Sequence, residues 1–595
     1  MFKINYKKIA PIHPEIMEKQ YLETNCDIQS DSDASLLSKS YIPFAIKNIQ
    51  LYNPIYQSFF EMSPQNVDRV ALNHPYHIKD LHSVVNTETS EIIKRDIFTK
   101  FSPLLDPYHY MMGRYDIHQS NIRTLPSLNS TNETVHPKML LQNNASYVDC
   151  FFNYLSSSLL HQHGFVNGVD FYGSFLGIQK QFRVNICDDL GYLYGSDFFN
   201  DNVGKLFHID GSNKDPFIQM DAGNGSRRNK KRLLIDNNEP YNISGISIVD
   251  LDEIEPTSEV TDNYEVVYSR SMTSSSTSTS SSSSSSENSE EWETDNSEEE
   301  DEEDEEEDKN DEDDEENDED DEENDEDEEN DEDEENDEDE ENDEEIYAYI
   351  DDFPIQMICL EKCQGTLDQL FADNLIDTTN GASALFQIVT SLLIYQKAFK
   401  FTHNDLHTNN IMYIETDIEY LYYKYENKMY RVPTYGRIFK IIDFGRSIYK
   451  FQNNLFCSDS FAPGGDAATQ YNFEPFMNNK KPRLEPNYSF DLARLGSSIF
   501  DFILDPDTEA DSMDELQKTV RRWCLDNNGR NILYKKNGDE RYPNFKLYKM
   551  IARTVSHHTP EAQLEYAFFS QYAVSKEEDL GTCAIFDIDA LPVYI

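Results

Sequence analysis

The sequence predicts an α+β fold, and three observations support that expectation. Short strand-like runs such as Pro354–Leu360 and Phe439–Ile442 stand beside helical stretches, of which Ala382–Phe399 is strongly apolar. The front half has its own strand runs and a helical run, Ser146–Leu160, with Tyr147, Cys150, Phe151, Tyr154 and Leu155 on one apolar face. Between the halves lies an acidic tract that belongs to neither core. From Glu287 to Glu345 there are 46 Asp or Glu and a single Lys, which is −45 of the total −63 and leaves −18 for the remaining residues.

Taken in order, the front half offers Phe44-Ala45-Ile46-Lys47, then Asp96-Ile97-Phe98-Thr99-Lys100-Phe101 preceded by Ile92-Ile93. After the 146–160 helix, Gly168–Leu176 reads as one strand and Gln181–Ile186 as another, half-buried one. Most of the chain from there to about Pro354 reads as insertion: a basic cluster Arg227–Arg232, a Ser/Thr run Ser271–Ser286, then the acidic tract, in which Asn recurs at 324, 330, 336 and 342. Self-repulsion with almost no apolar content leaves such a tract extended, as a solvated spacer or as an electrostatic lure for basic partners. The basic cluster reads as a nuclear localisation signal or as a segment that folds back on the acidic tract. Direct nucleic-acid binding is not expected, because a phosphate backbone would be repelled by this net charge.

Past the tract, His403-Asn404-Asp405-Leu406-His407-Thr408-Asn409-Asn410 and Asp443-Phe444-Gly445 place two acids and an amide in an arrangement suited to moving a phosphoryl group. Such transfer needs a carboxylate for the acceptor hydroxyl and oxygen ligands for a divalent metal. Asp405 suits the first role; Asn410 and Asp443 suit the second. An Asp followed five residues later by an Asn puts both on one tight loop. Ile411-Met412 and Phe439–Ile442 read as flanking strands, and the Tyr-rich stretch 413–437 as an enlarged hairpin between them. Near the end of the chain, Asn544–Thr554 has helical packing spacing, and the adjacent His557 and His558 read as surface histidines.

With these motifs in place, the chain resembles a divergent member of the eukaryotic-type protein kinase superfamily. Pro354–Leu360 running into Glu361-Lys362-Cys363 is similar to the fifth strand and adenine-gripping hinge of that family. Gly365–Phe371 resembles the short helix after the hinge, Ala382–Phe399 the long helix ahead of the catalytic loop, and Asp491-Leu492-Ala493-Arg494-Leu495-Gly496 the helix start whose Asp holds that loop. The order across 354–496 gives the resemblance its specificity. It implies a two-lobed kinase-like fold with a long disordered acidic insertion: 1–187 as a divergent N-terminal lobe, 188–345 as insertion, 346–595 as hinge and C-terminal lobe. It further implies ATP and Mg2+ as cofactors, Asp405 as catalytic base, Asn410 and Asp443 as metal ligands, and Lys100, Glu361 and Cys363 as nucleotide contacts. The expected activity is transfer to protein hydroxyl groups, Ser/Thr by default, with protein substrates as partners.

The departures from that family are equally specific. Asn404 stands where regulated kinases carry Arg, so control by an activation-loop phosphate is not expected. His407 replaces the usual Lys, giving an H-x-D-x-H-x-x-N pattern that also resembles aminoglycoside- and choline-kinase-like phosphotransferases. No glycine precedes Gly113, so no G-x-G-x-x-G cover lies ahead of the ATP lysine, and a kinase-like binding protein without turnover is a second expectation. Lys47 fits the V-A-I-K string better, but Lys100 leaves room for two preceding strands and is preferred. Asp149, the one acid of the 146–160 run, is its candidate partner or else a solvated surface acid. The bias toward Asn, Ile, Tyr and Lys, with the H-N-D-L-H-T-N-N loop, gives a further resemblance to kinase-like proteins of amoeba-infecting giant viruses, which would place the protein in host cytoplasm, viral factory or virion. Eight scattered cysteines, no secretory signal and no run of transmembrane length point to a soluble intracellular protein without a membrane partner.

Overall fold

The computed structural model describes residues 12–24, 41–67, 70–72, 75–116, 120–187, 189–210, 346–504, 512–536, 538–574 and 584–595. The acidic tract and the basic cluster lie outside these residues. Within them, α and β elements are mixed and the strands fall into several sheets, in agreement with the α+β expectation.

The principal sheet is antiparallel, in the order β1 (Ile46–Gln50), β6 (Phe171–Asn185), β8 (Tyr347–Glu361), β5 (Ile97–Pro103). Two corrections to the sequence reading arise here. The runs 168–176 and 181–186 join into the single 15-residue strand β6, and β8 starts at Tyr347 rather than Pro354. Asp352 has a left-handed backbone, φ 55°, which breaks the alternation that a sequence pattern would reveal. In addition, residues 189–210, assigned to the insertion, contain helices α2 (Leu190–Tyr194) and α3 (Asp197–Asn202) and strand β7 (Phe207–Ile209), which pairs with β8.

The three strands between β1 and β5 do not extend this sheet. β2 (Tyr76–Asp80), β3 (Ser83–Asn86) and β4 (Ile92–Lys94) form a separate three-stranded sheet, and among the described residues β5 is paired only with β8.

Helix α1 (Ala145–His163) is buried along most of its length. Asn144 caps its first turn by accepting from Ser146 N–H, and Gly164, φ 75°, closes it. Aromatic packing holds it on three sides. Phe151 stacks on Phe59 at 4.6 Å, while Phe152 lies 4.2 Å from Phe401 and 4.6 Å from Phe444 between ring centroids. Phe152 therefore ties α1 to Asp443-Phe444-Gly445 and to Phe401, just ahead of the His403 loop.

The rest of the chain is organised on α5 (Thr378–Phe399), which comes after the short strand β9 (Gly365–Thr366) and α4 (Leu367–Ala372). An Asp377/Asn380 capping box starts α5, which is buried on all sides from Gly381 to Gln396, with Ser383, Gln387, Thr390 and Ser391 among its buried residues. After it come β10 (Ile411–Glu415) and β13 (Arg437–Ile441), paired antiparallel as expected. The stretch between them departs from expectation: β11 (Tyr420–Tyr425) and β12 (Lys428–Pro433) do not lengthen that pair but form a second sheet with β16 (Ala573–Val574) and β17 (Ile585–Asp587). A hairpin, β14 (Ile448–Phe451) and β15 (Asn454–Cys457), lies just after Asp443-Phe444-Gly445. Helices α6 (Phe490–Ile503), α7 (Glu515–Trp523) and α8 (Lys546–Thr554) follow in the last part of the chain. No helix among the described residues is long and apolar enough to cross a membrane.

Candidate functional site

The front sheet, helix α1 and the Asp443 motif meet around one lysine. Lys100 sits in β5 opposite Ile358 of β8, and its Nζ lies 2.9 Å from Asp149 Oδ2 on α1 and 2.9 Å from Asp443 Oδ1. Asp149 is fully buried; its Oδ1 also accepts from Phe444 N–H and Asn153 Nδ2, both at 2.9 Å. The acid on the helix is thus an ion partner and not a surface charge. Lys47, the other candidate, pairs with Asp352 in an exposed position on the sheet.

Burial pushes the Asp149 carboxyl above the usual range and the nearby Asp443 charge adds to this, against the pull of Lys100. Asp443 goes the other way. Burial opposes its ionisation, but Lys100 in ion-pair and hydrogen-bond contact holds its pKa below the usual value. One ammonium therefore serves two acids, so the cluster has room for more positive charge. The Asp443 backbone is left-handed, φ 60°, a conformation more common for Asp and Asn than for most side chains.

The loop bearing Asp405 is pinned from behind. Asp491, at the start of α6, accepts from His403 N–H at 2.9 Å and Asn404 N–H at 2.8 Å, and a ring nitrogen of His403, Nε2, lies 2.9 Å from Ile442 O. Asn404, also left-handed at φ 65°, donates from Nδ2 to Thr402 O and Arg446 O and accepts from Tyr471 Oη at 2.8 Å. A neutral amide therefore ties the loop to the segment after Asp443.

Asp405 is closely surrounded. Its Oδ1 accepts from Tyr548 Oη at 2.8 Å, and its Oδ2 is 3.4 Å from Arg446 Nη1. Burial works to raise its pKa, yet Arg446, His407, Arg494 and the Tyr548 hydrogen bond together hold it well below the ordinary carboxylate range. Arg446 also binds Asp466 at 2.6 Å. His407 is buried and its pKa is lowered to about 3, burial being the main cause, so it is neutral. Asn410 Nδ2 lies 2.9 Å from both Asp405 O and His407 Nε2, which leaves Asn410 Oδ1 as the atom that could meet a cation. The resulting donor set, one carboxylate and one amide carbonyl, consists of hard oxygens and fits Mg2+ completed by phosphate oxygens and water.

Glu361 and Cys363, the two residues expected to contact nucleotide, have different surroundings. The Glu361 carboxylate is bound to Lys440 and accepts from Asp170 N–H at 2.7 Å, so it is used within the protein. Cys363 is buried just past the end of β8. Phe98, half-buried, shares the Lys100 face of β5 by strand alternation and pairs with Leu360 next to these residues.

Asp459 was not singled out by sequence reasoning. Its Oδ1 accepts from Ala145 N–H at 2.9 Å, its Oδ2 takes Lys138 at 2.5 Å, and its own N–H donates to Asn143 O at 2.7 Å, so it anchors the start of α1. Arg446, Arg494 and Tyr548 were missed as well. Arg446 is adjacent to Asp443-Phe444-Gly445 and could have been noticed there; Tyr548 comes from 143 residues further along the chain, with no local signal.

No protein-family model matches the chain. One stretch is 36% identical over 98 residues to a protein described as a probable serine/threonine-protein kinase of Dictyostelium discoideum. The match covers 15% of this chain and spans 8% of that protein's length. Lys100 and Asp443 lie 343 residues apart, so the stretch cannot include the whole cluster. The similarity supports a kinase-like relationship at the level of the superfamily.

Proposed function

We propose that the chain is a two-lobed, protein-kinase-like phosphotransferase that moves the γ-phosphoryl group of ATP to a protein hydroxyl, Ser or Thr by default, with Mg2+. The observation that carries this reading is the Lys100 cluster: one lysine is held between a helix acid and Asp443, next to a loop whose backbone Asp491 fixes. Lys100 would contact the α- and β-phosphates, with Asp149 orienting it. Asp443 and Asn410 Oδ1 would hold the metal, which neutralises phosphate charge when bound. Added positive charge beside Asp443 suits a cluster in which two acids share one ammonium. Asp405 would accept the hydrogen bond of the incoming hydroxyl. Its depressed pKa makes it a positioning group more than a strong proton acceptor, which suffices for a transfer that depends mainly on alignment and charge. Cys363 backbone groups would meet the adenine edge, and Phe98 would offer the base an apolar surface. The acidic tract would favour basic protein substrates through long-range attraction.

A second reading, nucleotide binding without turnover, is favoured by a specific observation: both Asp405 oxygens already have protein partners. The two are separated by incubating purified chain with Mg2+ and γ-labelled ATP, alone and with a basic protein. Phosphotransfer predicts label in protein that Asp405→Ala abolishes. Label transfer unaffected by that change refutes the assignment of the base.

A further inference from the structure

The hydroxyl of a phosphoryl acceptor must donate a hydrogen bond to the base as it attacks. In this structure that bond is already made by the chain itself. Tyr548 Oη donates to Asp405 Oδ1 at 2.8 Å and in turn accepts from Arg494 Nε at 2.8 Å. Arg446 stands at the other carboxylate oxygen and is itself tied to Asp466. The Tyr548 side chain is completely buried, with the guanidinium groups of Arg494 and Arg446 5.1 Å and 5.7 Å from its ring centroid and the Phe545 ring stacked at 5.4 Å.

The middle of this hydrogen-bond chain is held differently from its two ends. Asp405 belongs to the loop fixed by Asp491, and Arg494 sits one turn further along the same helix α6, so both are parts of one rigid assembly. Tyr548 comes from α8, a separate nine-residue helix packed on α6. If one partner withdraws, it is α8.

We propose that Tyr548 is a built-in occupant of the acceptor position, so that α8 must draw back before an external hydroxyl can reach Asp405. This rests on the reading of Asp405 as base. Tyr548 is an occupant and not the phosphoryl acceptor: one lone pair of its oxygen is engaged by Arg494, and the side chain has no exposed surface through which a phosphoryl group could approach. Access of the acceptor, and not nucleotide binding, is the step that α8 controls.

The test uses the full chain with Mg2+-ATP and protamine as a basic, serine-containing acceptor. Tyr548→Phe keeps the ring packing and removes the competing hydrogen bond; Tyr548→Ala opens the position, and should it fail to fold, the Phe variant decides. A hydrogen bond to a charged group is worth enough that kcat/KM for protamine should rise about tenfold or more, with KM for ATP unchanged. Transfer that is unchanged, lower or absent in the Phe variant overturns the proposal, as does phosphate found on Tyr548 by mass spectrometry. Thermal stabilisation by Mg2+-ATP, measured on the same samples, separates the two failures. If stabilisation persists without a gain in transfer, only the α8 gate is wrong; without stabilisation, the nucleotide reading fails too.

Discussion

Lys100→Met removes the one ammonium shared by Asp149 and Asp443 and should be among the more damaging single changes in the chain. Breaking a buried ion pair from one side typically costs about 3–5 kcal/mol, because the remaining charge stays buried. Here the Lys100 side chain is 7% exposed and Asp149 1%, which meets that condition, while Asp443 at 19% is partly relieved by solvent. Asp149 also keeps its bonds from Phe444 N–H and Asn153, so a cost near the lower end, about 3 kcal/mol, is expected at pH 8. The pH dependence gives the sharper signature. With Lys100 gone, the Asp149 pKa, already raised by burial, rises further above its unfolded value of about 3.9. A carboxyl raised in the folded state penalises folding when ionised and releases that penalty as pH falls through its folded pKa, by at most about 1.4 kcal/mol per pH unit. Urea unfolding of variant and parent at pH 8 and pH 5 should therefore show a large deficit at pH 8 that shrinks at pH 5. Adding Asp149→Asn should recover most of it. A deficit under about 1 kcal/mol at pH 8, or one of equal size at both pH values, would refute the reasoning.

The same geometry gives two further outcomes. Asp491→Ala strips the acceptor from two buried N–H groups and should cost about 2–6 kcal/mol in urea unfolding, with Asp491→Asn losing roughly half as much, since each unsatisfied donor costs about 1–3 kcal/mol; equal stability of parent and Ala variant would contradict the clamp. His77 and His407 are buried, and burial lowers their pKa values to about 4 and about 3. The unfolded chain binds protons to them first as pH falls below about 6.5, so each should withdraw about 2 kcal/mol of stability between pH 7 and pH 5. His77→Phe should flatten that slope, and an unaltered slope would count against a buried neutral imidazole.

What could be read in the sequence was what local pattern encodes. Ala382–Phe399 lies within the observed α5, which starts four residues earlier because the Asp377/Asn380 box caps it. Asp405, Asn410 and Asp443 stand on two short loops flanked by β10 and β13, whose pairing strand periodicity anticipated. The Lys100–Asp149 pair could be named because each lies in a short, patterned run. The front sheet was harder. No glycine marks its turns before Gly113, and β8 was expected only from Pro354, past the left-handed Asp352, although it starts at Tyr347. Most of the surroundings of Asp405 could not be read, since Arg494 and Tyr548 reach it across 89 and 143 residues through packing of helices. Likewise, the β11–β12 hairpin finds its partners in strands near residues 573 and 585, a long-range pairing that no window reveals.

In the proposed function, Lys100, Asn410 and Asp443 together form a site for a nucleotide and its metal. Calorimetric titration of the full chain with ATP, in the presence of Mg2+ and then of EDTA, tests it most directly. Binding should be strengthened by Mg2+, with that metal-dependent part lost in Asp443→Asn and the whole weakened in Lys100→Met. Binding of equal strength with and without Mg2+, or unchanged in both variants, would contradict it.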